Sequence, residues 1–495
     1  MASSTGLRLL PLRAIEAAGR TDMRNTPHFI DGRWVESLGG TPAHVFDPAT
    51  GNVCAEVTLG TAADVDRAVA AARQAFDSFS RTSVAERVAL LEAILAAYEA
   101  RLDDFAAAMM REVGCPISMA RHAQATAGVD HLKATIRALR ALVWEERVGR
   151  HAIVREPIGV AGLITPWNWP MNQIVAKVAP ALAAGCTVVL KPSEEAPSCA
   201  AIFAELVAEA GVSPGVFNLV QGDGATVGQA LAAHPQVDVV SFTGSTRAGI
   251  AVAQAAAPTV KRVHQELGGK APALVLESAD LETAVRATVG SVTFNSGQSC
   301  LAPTRLLVPQ AQASAAAAIA RDAIAGTRVG DPSQPGDHIG PLVNRTQWER
   351  VQRLIAGAVD EGATLEAGGL GYPEGAEHGV FVRPTLFSGV TPDMTIAREE
   401  IFGPVVTLIA YSDEEAAIRI ANDTGYGLSA VVFGAPEDVR RVIPRLRAGM
   451  VYVNGGIPDS EMPFGGYKRS GNGREYGAHG IAEYLEVKSV LNAYA

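Results

Sequence analysis

GVAGLITPWNWP, residues 159–170, changes character in its middle. A short apolar run that fits one buried strand gives way to a loop stiffened by two prolines and two tryptophans. The same change recurs downstream: TVVL (187–190) ends at KPSE, VFNLV (216–220) at QGDG, and VDVVSF (237–242) at TGST. Helix-like segments follow most of these runs. The alternation predicts a parallel sheet with crossover helices, in which ligands bind beyond the carboxyl ends of the strands. The polar and Gly-rich turns fall there. A second strand-helix series starts near ALVLES (273–278) and includes RLLV (305–308), VVTLIA (405–410) and MVYVN (450–454). The fold class read from this is α/β, with two domains and a cleft between them. Upstream, Thr61 and Asp64 open one helix, whose Val65, Val69, Ala72 and Phe76 share a face. Ser83 and Glu86 open the next as a capping box.

Bulk properties narrow the function. With 495 residues, 48% of them hydrophobic and 19% charged, the chain reads as a soluble globular protein of two or three domains. A formal charge of -10 argues against nucleic acid, whose binders carry a basic face. The five cysteines (Cys54, Cys115, Cys186, Cys199 and Cys300) are scattered, without zinc spacing, so neither a disulfide framework nor a metal site is expected. The longest uncharged stretch, Pro157 to Ala176, is broken by prolines and by Asn168, Asn172 and Gln173, so no membrane span is expected. Residues 1–26 carry Arg8, Arg13, Arg20 and Arg24, diluted by Glu16 and Asp22. They read either as a transit peptide or as an N-terminal extension upstream of a start at Met23. The cytoplasm is the default location.

Several turns carry groups suited to chemistry. In FTGST (242–246), Gly244 lets the backbone approach a phosphate and Ser245 with the helix N–H groups can donate to it; a plain helix entry is the other reading. In KPSE, Lys191 and Glu194 suit the two hydroxyls of a ribose. A carboxylate there repels a 2′-phosphate and favours NAD over NADP. The same residues also read as a helix start capped by Ser193. In TPWNWP, Asn168 is either a turn former between aromatics or a fixed amide donor for a developing oxyanion. Glu266 precedes a Gly-Gly turn in HQELGGKAP, where a carboxylate is either solvated or a general base. FNSGQSC (294–300) closes on Cys300 in loop chemistry, so either the thiol merely follows a turn or the turn presents it.

Together these stretches resemble the NAD(P)-dependent aldehyde dehydrogenase superfamily. The resemblance runs from FIDGRWV (29–35) through TPWNWP, KPSE, FTGST, ELGGK, FNSGQSC, EEIFGP (399–404) and YGLSA (426–430) to PFGGYKRSGNGRE (463–475), in order. It implies a Rossmann-like NAD domain (27–133 and 155–265), a catalytic α/β domain (266–466) and a small oligomerisation arm (134–154 and 478–495), with dimers or tetramers. By resemblance Cys300 is the nucleophile and Glu266 the general base. Asn168 and the backbone N–H of Cys300 form the oxyanion hole, and Lys177 and Glu475 match proton-relay positions. Gly244 and Ser245 match pyrophosphate contacts, Lys191 and Glu194 the adenosine ribose, and Gln347, Glu400 and Phe402 the nicotinamide riboside. Trp167 and Phe242 flank the dinucleotide, and Ile164, Thr165, Pro166, Gly224 and Leu267 complete the cofactor set. Where many relatives carry Phe, this chain has Trp169.

The implied activity is oxidation of an aldehyde to a carboxylic acid with NAD reduction. A Cys300 thiohemiacetal becomes a thioester, which water activated by Glu266 hydrolyses. Donors or the cofactor's positive charge must then lower the Cys300 thiol. A CoA-acylating dehydrogenase has no need of Glu266, and a silent ligand-binding member would be expected to lose Cys300, Asn168 or Glu266. Redox-free thioesterase chemistry would not need the nicotinamide set. The expected pocket borders, Trp169, Met171, Gln173, Leu301, Ile457 and Phe464, are mainly apolar and point to a medium-chain or aromatic aldehyde. Arg305 and Lys177 leave open a charged substrate tail, and Asp459 and Glu461 an amino-aldehyde.

Overall fold

The computed structural model describes residues 26–494. The Arg-rich segment before Thr26 lies outside the described residues. Two large sheets organise the chain. The first has eight strands in the order Gly471–Asn472, Arg262–Glu266, Val239–Thr243, Val160–Ile164, Thr187–Lys191, Phe217–Leu219, His28–Ile30 and Arg33–Val35. Its five central strands are parallel, and both edges are closed by antiparallel pairing. The innermost of those central strands are largely apolar, as expected where helices cover both faces, while Arg262–Glu266 carries the polar run RVHQE. Val160–Ile164 and Thr187–Lys191 are buried at every position.

The crossover helices Pro170–Ala184 and Pro197–Glu209 both start with proline in the first turn, where its missing N–H costs nothing. KPSE is therefore not a helix start. Ser193 caps nothing; its hydroxyl accepts from the Glu195 N–H in a turn, and the helix begins only at Pro197. The proline after this turn disfavours helical geometry at the preceding residue and sets the later start. Both early caps form as expected, with Ala62–Phe79 starting after Thr61 and Val84–Glu99 after Ser83. Val65, Val69 and Ala72 are fully buried.

The second sheet has seven strands in the order Thr364–Ala367, Thr385–Ser388, Val405–Tyr411, Arg305–Pro309, Pro272–Val275, Ser429–Phe433 and Met450–Val453, all parallel except the first pair. Each sheet is sandwiched between two apolar layers. Fully buried Phe203, Phe217 and Phe387 contribute about 1.5–3 kcal/mol each by leaving water. A three-stranded sheet of Glu145–Val148, His151–Pro157 and Leu485–Val490 stands apart and leaves Val148, Val487 and Leu491 exposed. Among the described residues, no helix is long and apolar enough to cross a membrane.

Candidate active site

Cys300 sits just before the strand Arg305–Pro309, at the end of a tightly wound loop. Asn295, Ser296 and Gly297 all have left-handed backbones, with φ of 51°, 55° and 75°. Three such residues in a row are costly without local support. The support is a buried polar web: Asn295 accepts from Gln124 (3.1 Å) and donates to the carbonyls of Asn168 (3.0 Å) and Gln298 (3.3 Å). Ser296 donates to the Gly340 carbonyl, and the Gln298 side chain accepts from the Val343 N–H. Gly297 has no alternative, because a Cβ there would lie 2.1 Å from the Gly403 carbonyl.

Asn168 reaches the same loop. Its side-chain nitrogen donates to the Gln298 carbonyl at 3.0 Å and is buried. An amide nitrogen carries two donors, so a second N–H is available beside the thiol loop. Glu266 ends the strand Arg262–Glu266, pinned there by pairing with Gly471. Neither of its carboxylate oxygens has a hydrogen-bond partner among the described residues. Burial, then Glu475, push its carboxyl well above the usual range, against the pull of Lys177 and Arg474. Gly269, from the same Gly-Gly turn, lies against Cys300 so closely that a Cβ would meet the Cys300 carbonyl at 2.3 Å. Lys177 and Glu475 form a buried ion pair, and Lys177 also donates to Ser241 at 3.2 Å.

The surroundings of Cys300 raise its thiol. Burial acts most strongly, followed by Glu400 and Glu266, and the backbone hydrogen bond at Cys300 does not offset them. Protein donors alone do not create the thiolate that the sequence reading required.

At the strand ends of the first sheet, the Thr165 and Thr243 hydroxyls are buried without a partner among the described residues. Lys191 is paired with Glu194 at 3.0 Å. Ser245 caps the helix Thr246–Ala256, with Gly244 folded over the Phe242 ring and Gly249 against Leu267. Gly224 opens a turn capped by Asp223. From the second sheet, Glu400 accepts from the Gly269 N–H at 2.9 Å, and Phe402, with φ of 58°, meets Trp167 edge-on at 5.5 Å. Gln347 is half-buried in the first turn of Arg345–Asp360. Ile164 is buried and Pro166 half-buried on the Trp167 loop.

The aldehyde dehydrogenase family profile matches residues 34–490. The chain belongs to the aldehyde dehydrogenase family. It is 53% identical, over 94% of its length and 98% of the relative's, to 3-succinoylsemialdehyde-pyridine dehydrogenase of a Pseudomonas species. Aldehyde dehydrogenase C of Pseudomonas syringae, solved as a cysteine-to-alanine variant with NAD+ and octanal, superposes with a TM-score of 0.94. It is 49% identical, with 99% of each chain covered. An aldehyde dehydrogenase of Bartonella henselae gives a TM-score of 0.93 at 45% identity, over 95% of this chain and all of the other.

In this dehydrogenase the expected pocket borders divide. Leu301 and Phe464 pack with Cys300 in one apolar cluster that includes Ala176, Leu428, Met450 and Tyr476. Trp169 leans on Phe294 at 5.9 Å, and Phe294 in turn borders a cleft of about 1030 Å³. Met171 is instead fully buried in the main core, Gln173 is buried, and Ile457 stands 83% exposed. Arg305 does not serve a substrate tail, since its guanidinium donates to the carbonyls of Lys270, Ile420 and Ala421. Glu461 is engaged by Arg137. The sequence reading missed Gln124, Asn295, Gln298, Ser241 and His264. Asn295 and Gln298 lie inside FNSGQSC, but their partners come from as far as 171 positions away.

Proposed function

We propose that this chain oxidises an aldehyde to a carboxylic acid with NAD as acceptor. The observation that carries it is the buried Asn168 amide fixed to the loop of Cys300, with the unpartnered Glu266 carboxyl acting on the thiol from another strand. The orphaned Thr165 and Thr243 hydroxyls, the Ser245 helix start and the Trp167–Phe402 pair fit a dinucleotide. We assign Lys191 and Glu194 to the adenosine ribose, and read Glu194 as favouring NAD over NADP. Gly244, Ser245, Phe242, Ile164, Thr165, Pro166, Trp167, Gly224, Leu267, Gln347, Glu400 and Phe402 make up the rest of the cofactor set.

With its proton released to solvent, the Cys300 sulfur forms a bond to the aldehyde carbon as the carbonyl π pair moves onto oxygen, and that oxyanion takes hydrogen bonds from Asn168 and the Cys300 N–H. When bound, the nicotinamide supplies the hydride acceptor that leaves a thioester on Cys300. Glu266 takes a proton from water as the water oxygen bonds to the thioester carbon. The carbon–sulfur bond then breaks, and the electron pair returns to Cys300. Lys177 and Glu475 are assigned to proton movement behind Glu266.

The apolar cluster around Cys300 supports a medium-chain or aromatic aldehyde, and the octanal complex of the Pseudomonas syringae relative agrees with that class. The two large sheets support the domain partition at 27–133 with 155–265, and 266–466, with Glu266 and residues 471–472 belonging to the first sheet. The exposed Val148, Val487 and Leu491 support segments 134–154 and 478–495 as the oligomerisation arm of a dimer or tetramer. We assign the protein to the cytoplasm. The test is NADH absorbance with purified protein and a panel of aliphatic, aromatic, amino- and carboxy-aldehydes. Turnover without CoA, absent in Cys300→Ala and strongest with medium-chain or aromatic aldehydes, is expected. Turnover only with added CoA overturns the hydrolytic reading.

A further inference from the structure

One buried titratable group beside the site has no part in the chemistry above. His264 lies two residues before Glu266 on the same strand, so both side chains project to the same face. It is 2% exposed, and its Nε2 is 3.6 Å from the Glu266 Oε1, with no hydrogen-bond partner among the described residues. Its Nδ1 is 3.0 Å from the Ser241 hydroxyl, which accepts from the Lys177 ammonium at 3.2 Å. An ammonium only donates, so Ser241 accepts from Lys177 and keeps its own proton, which it can donate to Nδ1. In that tautomer, the one adopted in the inference below, Nδ1 is the acceptor and the ring proton sits on Nε2, facing Glu266. The Tyr484 hydroxyl also faces Ser241. Burial, then Lys177 and Arg474, keep the imidazole neutral.

We infer that His264 is a positioning residue for deacylation: its Nε2–H donates to the Glu266 carboxylate, holding the ionised base toward the thioester. The 3.6 Å gap closes by a few tenths of an ångström when Glu266 ionises. His264 itself neither gains nor loses a proton. Lys177, Arg474, Glu475 and Glu483 also face Glu266, and all of them remain in place in the variants below. This inference rests on the reading of Glu266 as the general base.

The experiment follows pre-steady-state and steady-state NADH formation across pH for wild type, Glu266→Gln, His264→Leu, His264→Gln and Ser241→Ala. Glu266→Gln should give one burst of NADH per site and then stall; free turnover in that variant overturns the general-base reading beneath this one. His264→Leu should keep the burst, while the acidic limb of kcat moves up by about one to two pH units, the size expected for one hydrogen bond to a charged group. His264→Gln, which restores a donor near Nε2, should bring the limb back. Ser241→Ala should shift it the same way by less, and it tests the tautomer even if His264→Leu does not fold. A stalled Glu266→Gln together with an unmoved limb in His264→Leu, or in Ser241→Ala where His264→Leu is not recovered, overturns the role of His264 alone.

Discussion

The two flanks of Cys300 are bonded to different degrees. On the Asn168 side the loop is tied down by Asn168 with Gln298, Asn295 with Gln124, Asn168 and Gln298, and Ser296 with Gly340, while the Gln124 Oε1 is left buried and unpartnered among the described residues. On the Glu266 side two carboxylate oxygens and an imidazole nitrogen are buried and unpartnered among the described residues. Burying such groups without partners costs free energy that satisfied groups do not incur. The difference matches the work of each flank. A donor aimed at a transient negative charge acts best when it cannot move, whereas a base that exchanges a proton with water needs unfilled bonding capacity and room.

Asn168→Ala should lower kcat by about 10²–10³-fold, the loss typical of one oxyanion donor, with Cys300 still accessible to a thiol reagent. A loss under ten-fold would mean that this flank is scaffolding only. Asn295→Ala, which removes the clamp on the loop but not the donor, should cost about ten-fold, in line with other supporting hydrogen bonds. It should also lower the thermal midpoint, measured by calorimetry.

Glu112 sharpens the contrast because it combines features of both flanks. It accepts from the Ser198 N–H and hydroxyl, yet burial pushes it up to about 7 from the ordinary 4.5. A raised folded-state value means that its contribution to stability is full below about pH 4.5 and is lost as pH rises through about 7. That shift corresponds to about 3 kcal/mol. Glu112→Gln should therefore flatten the fall in thermal midpoint between about pH 5 and 8. An unchanged slope would show that its Ser198 bonds fully compensate its burial.

Local chemistry was readable from the chain, and long-range closure was not. The strands ending at Ile164, Lys191 and Thr243 announce themselves as apolar runs, and the caps at Thr61 and Ser83 need only four residues each. Ser193 misled because a cap and a turn use the same hydroxyl, and only the position of Pro197 separates them. Met171 is among the expected pocket borders, close in sequence to Asn168. A helix carries successive residues to different faces, and this one points into the core. His264 gave no signal, since its meaning depends on Ser241 and Lys177 from two other elements.

The seat of Glu266 has a consequence for synthesis. Its strand is closed by Gly471, and the Ser470 hydroxyl ties to the Gly268 carbonyl 202 positions earlier. At ribosomal speeds of about 5–20 residues per second, that closing segment emerges roughly 10–40 s after the residues it covers. The nascent chain can assemble most of its first sheet long before Glu266 is held in place. Catalytic competence therefore arrives late in translation, and a chain stalled before Ser470 carries the thiol without a seated base.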